Sequence, residues 1–211
     1  VIDGAAGKSL EKVGPGLLFL GGASTYAGGS TVFAGTLKTT NIAGSATGSG
    51  PVGVNSGATL IVRGPIASAV TVNNSGTLVG AGIVTNSVTM GDGSILTVGE
   101  SGIGRLESGP LSLDAGTTLN VDLGTRGTGD IVVVNGDLLL KGTLVVSDAG
   151  GFNAGVHDLI QYSGLLNPAP LPANPMTINS LPGGLNGIVG NPAAGRVSLL
   201  AGATLAPVTA S

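Results

Sequence analysis

Ser75-Gly76-Thr77-Leu78 has copies along most of the chain. Earlier versions are Ala34-Gly35-Thr36-Leu37 and Ser56-Gly57-Ala58-Thr59-Leu60. Later ones are Asp92-Gly93-Ser94-Ile95-Leu96, Ala115-Gly116-Thr117-Thr118-Leu119, Lys141-Gly142-Thr143-Leu144 and Ala201-Gly202-Ala203-Thr204-Leu205. The first six glycines are 22, 19, 17, 23 and 26 residues apart. A turn glycine followed by a β-branched and aliphatic run, at this period, is the mark of a solenoid whose coils stack strand on strand. A sandwich or barrel of hairpins would bring similar strands back every 8–12 residues or so. Here each unit is about twenty residues long and holds two or three short strands. The spacing therefore predicts an all-β, right-handed parallel β-helix, with aliphatic stacks inside and Thr, Ser and Asn outside. Nine or ten coils at about 4.8 Å each predict a rod of roughly 45–50 Å.

Composition fits that reading. Glycine supplies 40 of 211 residues, without a Gly-X-Y period, which excludes collagen. A disordered chain is poor in apolar residues and rich in charge. This one is 42% hydrophobic and 9% charged, with a mean hydropathy of +0.49. The glycines thus punctuate a packed structure. A net charge of −3 and only eight Lys and Arg argue against nucleic acid, whose phosphates need a basic stripe. No apolar run approaches the roughly 20 residues of a membrane helix. Cysteine is absent, so disulfides, zinc thiolates and thiol nucleophiles are excluded. A chain exported through an oxidising periplasm benefits from that absence. The opening Val1-Ile2-Asp3, without Met or signal peptide, reads as a mature piece.

Residues 17–150 read as short strands bounded by Gly, Asn, Asp or Ser, with almost no helix. The character then changes. Prolines at 168, 170, 172, 175, 182 and 192 predict a proline-rich loop at 165–175 that cannot pair as a central strand. Strands return at Met176-Thr177-Ile178-Asn179 and Arg196-Val197-Ser198-Leu199-Leu200. Asn135-Gly136 between Ile131–Val134 and Leu138–Val146 is a hairpin signal. The expected division is 1–129 for the helix coils and 130–211 for terminal coils and a β-rich cap that hides the open end.

Residues 12–37 resemble the passenger-associated repeat of bacterial autotransporters. That repeat opens Gly-x-Gly-Thr-Leu-x-Leu, here Gly14-Pro15-Gly16-Leu17-Leu18-Phe19-Leu20. Its Asn-Thr-Tyr-x-Gly-Gly centre is Ser24-Thr25-Tyr26-Ala27-Gly28-Gly29, and its close is Val32-Phe33-Ala34-Gly35-Thr36-Leu37. Leu17 replaces Thr and Ser24 replaces Asn. One clear copy is present, and the later Gly-Thr-Leu phrases look like degenerate ones. His157-Asp158-Leu159-Ile160-Gln161-Tyr162-Ser163-Gly164 is similar to the capping region near the end of such passengers. The resemblance implies an extracellular, surface-displayed β-helix and an autochaperone-like role for the C-terminal region. It also implies an outer-membrane barrel after the passenger. The chain shows no alternating ten-residue segments with aromatic girdles, so the barrel would have been removed, or secretion would take another route.

Several patterns invite chemistry. Gly48-Ser49-Gly50-Pro51-Val52-Gly53 matches the dinucleotide fingerprint but runs on into another turn, and forty glycines make the match expected by chance. His157 is the only histidine, and the adjacent Asp158 cannot face its ring as a triad requires, so a surface or edge role is expected. Asp114, Asp122, Asp130 and Arg126 could meet on neighbouring coils as in polysaccharide-cleaving β-helices, with Asp137 close by in sequence. Beside glycines and strand ends, turn chemistry explains these aspartates. Phe19 and Phe33 are expected to plug the core of the first coils. No catalytic, cofactor-binding or metal-ligating residue is assigned. The expected function is structural: a passenger stalk or adhesin scaffold. Its partners would be host or cell-surface material, or further copies of itself. A filament or sheath subunit is the alternative, and a polysaccharide-active enzyme ranks third.

Overall fold

A computed structural model describes residues 7–168 and 175–202. The first face is an eight-stranded, all-parallel sheet. Its strands are Leu10–Lys12, Ser30–Val32, Val52–Val54, Val70–Val72, Val88–Met90, Leu111–Leu113, Leu138–Leu139 and Leu166–Asn167. The second face is parallel too, with Leu17–Leu20, Thr36–Thr39, Thr59–Val62, Thr77–Gly80, Ile95–Val98, Thr118–Leu123, Thr143–Asp148 and Thr177–Ile178. Successive strands of one face are separated by a strand of the other, so the chain winds as a parallel β-helix. Among the described residues, eight rungs per face at about 4.8 Å each make a rod of roughly 38 Å, against the nine or ten coils expected for the whole chain.

Register explains the repeat. The leucines of the Gly-Thr-Leu phrases pair one above another: Leu37, Leu60, Leu78, Leu96, Leu119 and Leu144. All six are fully buried. The half-buried Leu18 and Ile178 extend the row at its two ends. Their neighbours Thr36, Thr59, Thr77, Thr118 and Thr143 form the row outside. A one-residue slip would exchange the two rows, so burial of the leucines fixes the register. The glycine is less fixed than the leucine. It stands two residues before Leu37, Leu78 and Leu144 but three before Leu60, Leu96 and Leu119. In the longer corners the extra residue is small and buried: Ala58, Ser94 and Thr117. Gly35 shows what the corner demands. Its φ of +71° is left-handed, and a Cβ there would collide with the carbonyl oxygen of Gly14 in the coil below.

The third side develops along the rod. In early coils it is held by isolated bonds, Ser24 N–H to the Ser45 carbonyl and Ala46 N–H to that of Pro65. From Ile83–Val84 it becomes a sheet, through Arg105–Ser108, Ile131–Val134 and Gly155–Tyr162. Arg196–Ala201 and then Gly187–Gly190 continue this sheet with antiparallel pairing. Ile131–Val134 pairs in parallel on this face, whereas Leu138–Leu139 belongs to the first. Asn135-Gly136 is therefore a corner between faces and not the expected hairpin. Burial of Val132 and Val134 in the helix core outweighs the local turn preference. Leu166–Asn167 pairs with Leu138–Leu139 as the last strand of its face, so the proline-rich stretch opens in an edge position. Residues 169–174 of that stretch, and 203–205 of the last repeat, lie outside the described residues. The predicted strands near 177 and 196 are present, and the helical content among the described residues is one 3-10 turn, Pro182–Gly184.

Phe19 and Phe33 do not plug the core; they are 57% and 45% exposed. Phe19 alternates with the inward Leu18 and Leu20, and its ring lies 5.9 Å below the Lys38 ammonium. The lowest described coil instead places Lys12 in an inward row, paired with Val32. Its ammonium donates to the carbonyls of Val13, Gly14 and Ala34 at 3.0, 2.6 and 2.9 Å. Glu100 reaches across the coils to Lys38 and Arg63, at 2.5 Å each. Such exposed pairs contribute about 0–1 kcal/mol each, so the leucine rows carry most of the stability.

Replacing a leucine in mid-stack should test this. Leu96→Ala is expected to destabilise by about 2–5 kcal/mol, and the outward Thr77→Ser by no more than about 0.5 kcal/mol, in urea unfolding followed by circular dichroism.

Candidate functional site

A concavity lies on the third face, where parallel coils give way to antiparallel strands. It is an open cleft of about 470 Å³. It is lined by the turn Gly127-Thr128-Gly129, by Ile131 and Val156, and by Asp158, Gln161 and Arg196. A smaller apolar groove of about 270 Å³, lined by Ile188, Pro192 and Leu200, continues beyond Val156.

Local sequence builds this lining. Leu123 and Gly129 form an antiparallel bridge that closes the turn, and the Gly124 N–H donates to the Thr128 carbonyl at 2.9 Å. The Thr128 hydroxyl donates to the Thr125 carbonyl at 2.7 Å. On Gly155–Tyr162 the pairing with Arg196–Ala201 shifts register between Asp158 and Ile160. This bulge turns both Leu159 and Ile160 into the core and leaves Asp158 and Gln161 facing outward. Arg196 Nη1 donates to Asp158 Oδ2 at 2.5 Å, and Ser198 Oγ to Oδ1 at 2.8 Å.

Asp130 also lines the cleft and is 1% exposed. Its two oxygens accept the backbone N–H of Gly104 at 2.6 Å and of Asp122 at 2.7 Å, tying one coil to the next. Burial nevertheless pushes this carboxyl up to about 6, with the two N–H bonds and the nearby Asp122 carboxylate acting as smaller influences. Of the aspartates weighed above, Asp122 and Asp130 thus meet, through backbone. Asp114 belongs to a corner of the first and second faces, and Arg126 Nε donates to the Ala154 carbonyl at 3.4 Å. Asp137 accepts the backbone N–H of Leu165 at 2.7 Å. These five do not form one acid–base group.

His157 is not a surface histidine, though its backbone is paired on one side only, with Leu199. It is 3% exposed, its ring 4.8 Å from that of Phe152 and its Nε2 2.9 Å from the Asn153 carbonyl oxygen. Gly48-Ser49-Gly50 leads into the strand Val52–Val54, with no helix N-terminus to meet a pyrophosphate. Sequence reading missed Gln161, Arg196 and the turn 127–129. The bulge at Asp158 that gathers them has no signal in the spacing of the residues.

No family model matches the chain. Over 117 residues, 52% of its length, it is 38% identical to the adhesin BmaC autotransporter of Brucella suis biovar 1 (strain 1330). The chain is of the autotransporter passenger type. It spans only 3% of that relative. As a passenger segment it is extracellular and exposed at the bacterial surface.

Asp130 makes this passenger's stability pH-dependent. The folded protein holds its proton more tightly than the unfolded chain, where Asp titrates near 3.9 or so. The resulting stabilisation is complete below about pH 4 and is lost as pH rises through about 6, an effect of at most about 3 kcal/mol. Between pH 6.5 and 4.5 the wild-type melting temperature should rise relative to that of Asp130→Asn, whose amide does not titrate. Parallel curves in differential scanning calorimetry would contradict the assignment.

Proposed function

We propose that the chain is a non-enzymatic stretch of a surface adhesin: a stiff β-helical rod that holds recognition surfaces away from the bacterial cell. The observation that carries this reading is the unbroken pairing of coils, rung by rung, from Leu18 to Ile178. Each coil contacts mainly its neighbours, so length can grow by addition without a larger core. The likeness to a protein named an adhesin supports the same reading.

Within it, residues 1–129 act as coils and 130–211 as terminal coils and cap. The antiparallel Arg196–Ala201 and Gly187–Gly190 support this division, because they end the parallel ladder of the third face. A closed end of this kind would template the coils before it during export, by offering each incoming strand a formed edge. The partners in this account are an outer-membrane barrel and host or cell-surface material.

Latex beads coated with the folded chain should adhere to cultured epithelial cells several-fold above beads coated with the same chain heat-unfolded. Adhesion no greater than that of the unfolded coating would contradict the reading. So would release of reducing ends from a polysaccharide panel.

A further inference from the structure

The cleft on the third face has the composition of a site for a particular ligand class. Its lining is in part aliphatic, from Ile131 and Val156, and in part polar, from Asp158, Gln161 and Arg196. About 470 Å³ falls within the range of small-molecule clefts, roughly 300–1,000 Å³. Gln161 is exposed and has no hydrogen-bond partner among the described residues, so its amide offers both a donor and an acceptor. The guanidinium of Arg196 is half exposed and commits Nη1 to Asp158, which leaves other N–H groups directed to solvent. The carboxylate of Asp158 keeps further lone pairs beside its bonds from Arg196 and Ser198. Donors and acceptors thus stand beside aliphatic side chains.

We propose that this cleft binds a neutral, hydroxyl-rich saccharide, one to a few sugar units long. A pyranose ring presents an apolar C–H face and an equatorial rim of hydroxyls, each of which both donates and accepts. Ile131 and Val156 meet the face, and Asp158, Gln161 and Arg196 meet the rim. Charge argues for a neutral ligand. Asp130 and Asp158 offset Arg196, so nothing here compensates the desolvation of a sialic acid or a sulfate. Asp158 and Arg196 hold each other through their ion pair, and Gln161 stands on backbone paired on both sides. The inference deepens the adhesin reading and rests on it, since it names the ligand class of the display surface.

The test is a glycan array carrying neutral, sialylated and sulfated oligosaccharides, probed with the 211-residue chain. The strongest neutral hit is then titrated calorimetrically against wild type, Gln161→Ala and Asp158→Asn. Neutral glycans are expected to bind. Gln161→Ala should lose at least about tenfold in affinity with an unchanged melting temperature, because its amide bonds nothing within the protein. Asp158→Asn, similar in shape but without the ion pair, should weaken binding as well. Binding confined to sialylated or sulfated glycans, no binding at all, or affinity unchanged in both variants would each overturn the proposal. Bead adhesion to cells, run in parallel, separates the two readings: adhesion that persists without glycan binding removes the cleft and leaves the adhesin.

Discussion

Hydrogen bonding between successive coils, in a register that keeps one leucine above the next, is the constraint on which the rest depends. Each rung satisfies its backbone groups with the rungs above and below, so the chain needs no helix and no disulfide to close its core. The side chains inside are mostly Leu, Val and Ile, and each coil packs mainly on its neighbours. Irregularity is then free to collect outside the rows, in corners and in loops such as 99–104 and 124–129.

That division of labour locates function away from the repeat. The rows of Leu and Thr repeat with few exceptions, such as Ile95 in the outer row, and offer little to distinguish a partner. The third face is different. It begins as isolated bonds, becomes a sheet at Ile83–Val84, and ends by accepting two antiparallel strands. At that change of direction a bulge exposes two polar residues, and a glycine-containing turn lines the same cleft. The same region holds the buried Asp130, which joins Gly104 and Asp122 across the coils.

Much of this was legible in the residues. The Gly-Thr-Leu phrase marked the leucine row because burial demands an aliphatic residue at the same place in every coil. The spacing of the glycines varies from 17 to 26 residues, and the structure traces part of that variation to an extra small residue in three corners. Local signals misled where coil packing prevailed. Asn135-Gly136 has the chemistry of a hairpin, but Val132 and Val134 are held in a parallel ladder. Phe19 is large and apolar, yet alternation with Leu18 and Leu20 puts it outside. The cleft was not legible, since Thr128, Gln161 and Arg196 lie far apart in sequence and meet only through the pairing of Gly155–Tyr162 with Arg196–Ala201.

Distance along the rod tests the central claim most directly. Nitroxides attached at Thr36 and Thr118 stand four rungs apart, about 19 Å between backbones, and at Thr36 and Thr143 five rungs apart, about 24 Å. Pulsed dipolar EPR should return two narrow distributions whose centres differ by about 5 Å, although 25 residues separate Thr118 from Thr143. A broad distribution, or a second distance no longer than the first, would contradict coil-on-coil stacking in this register.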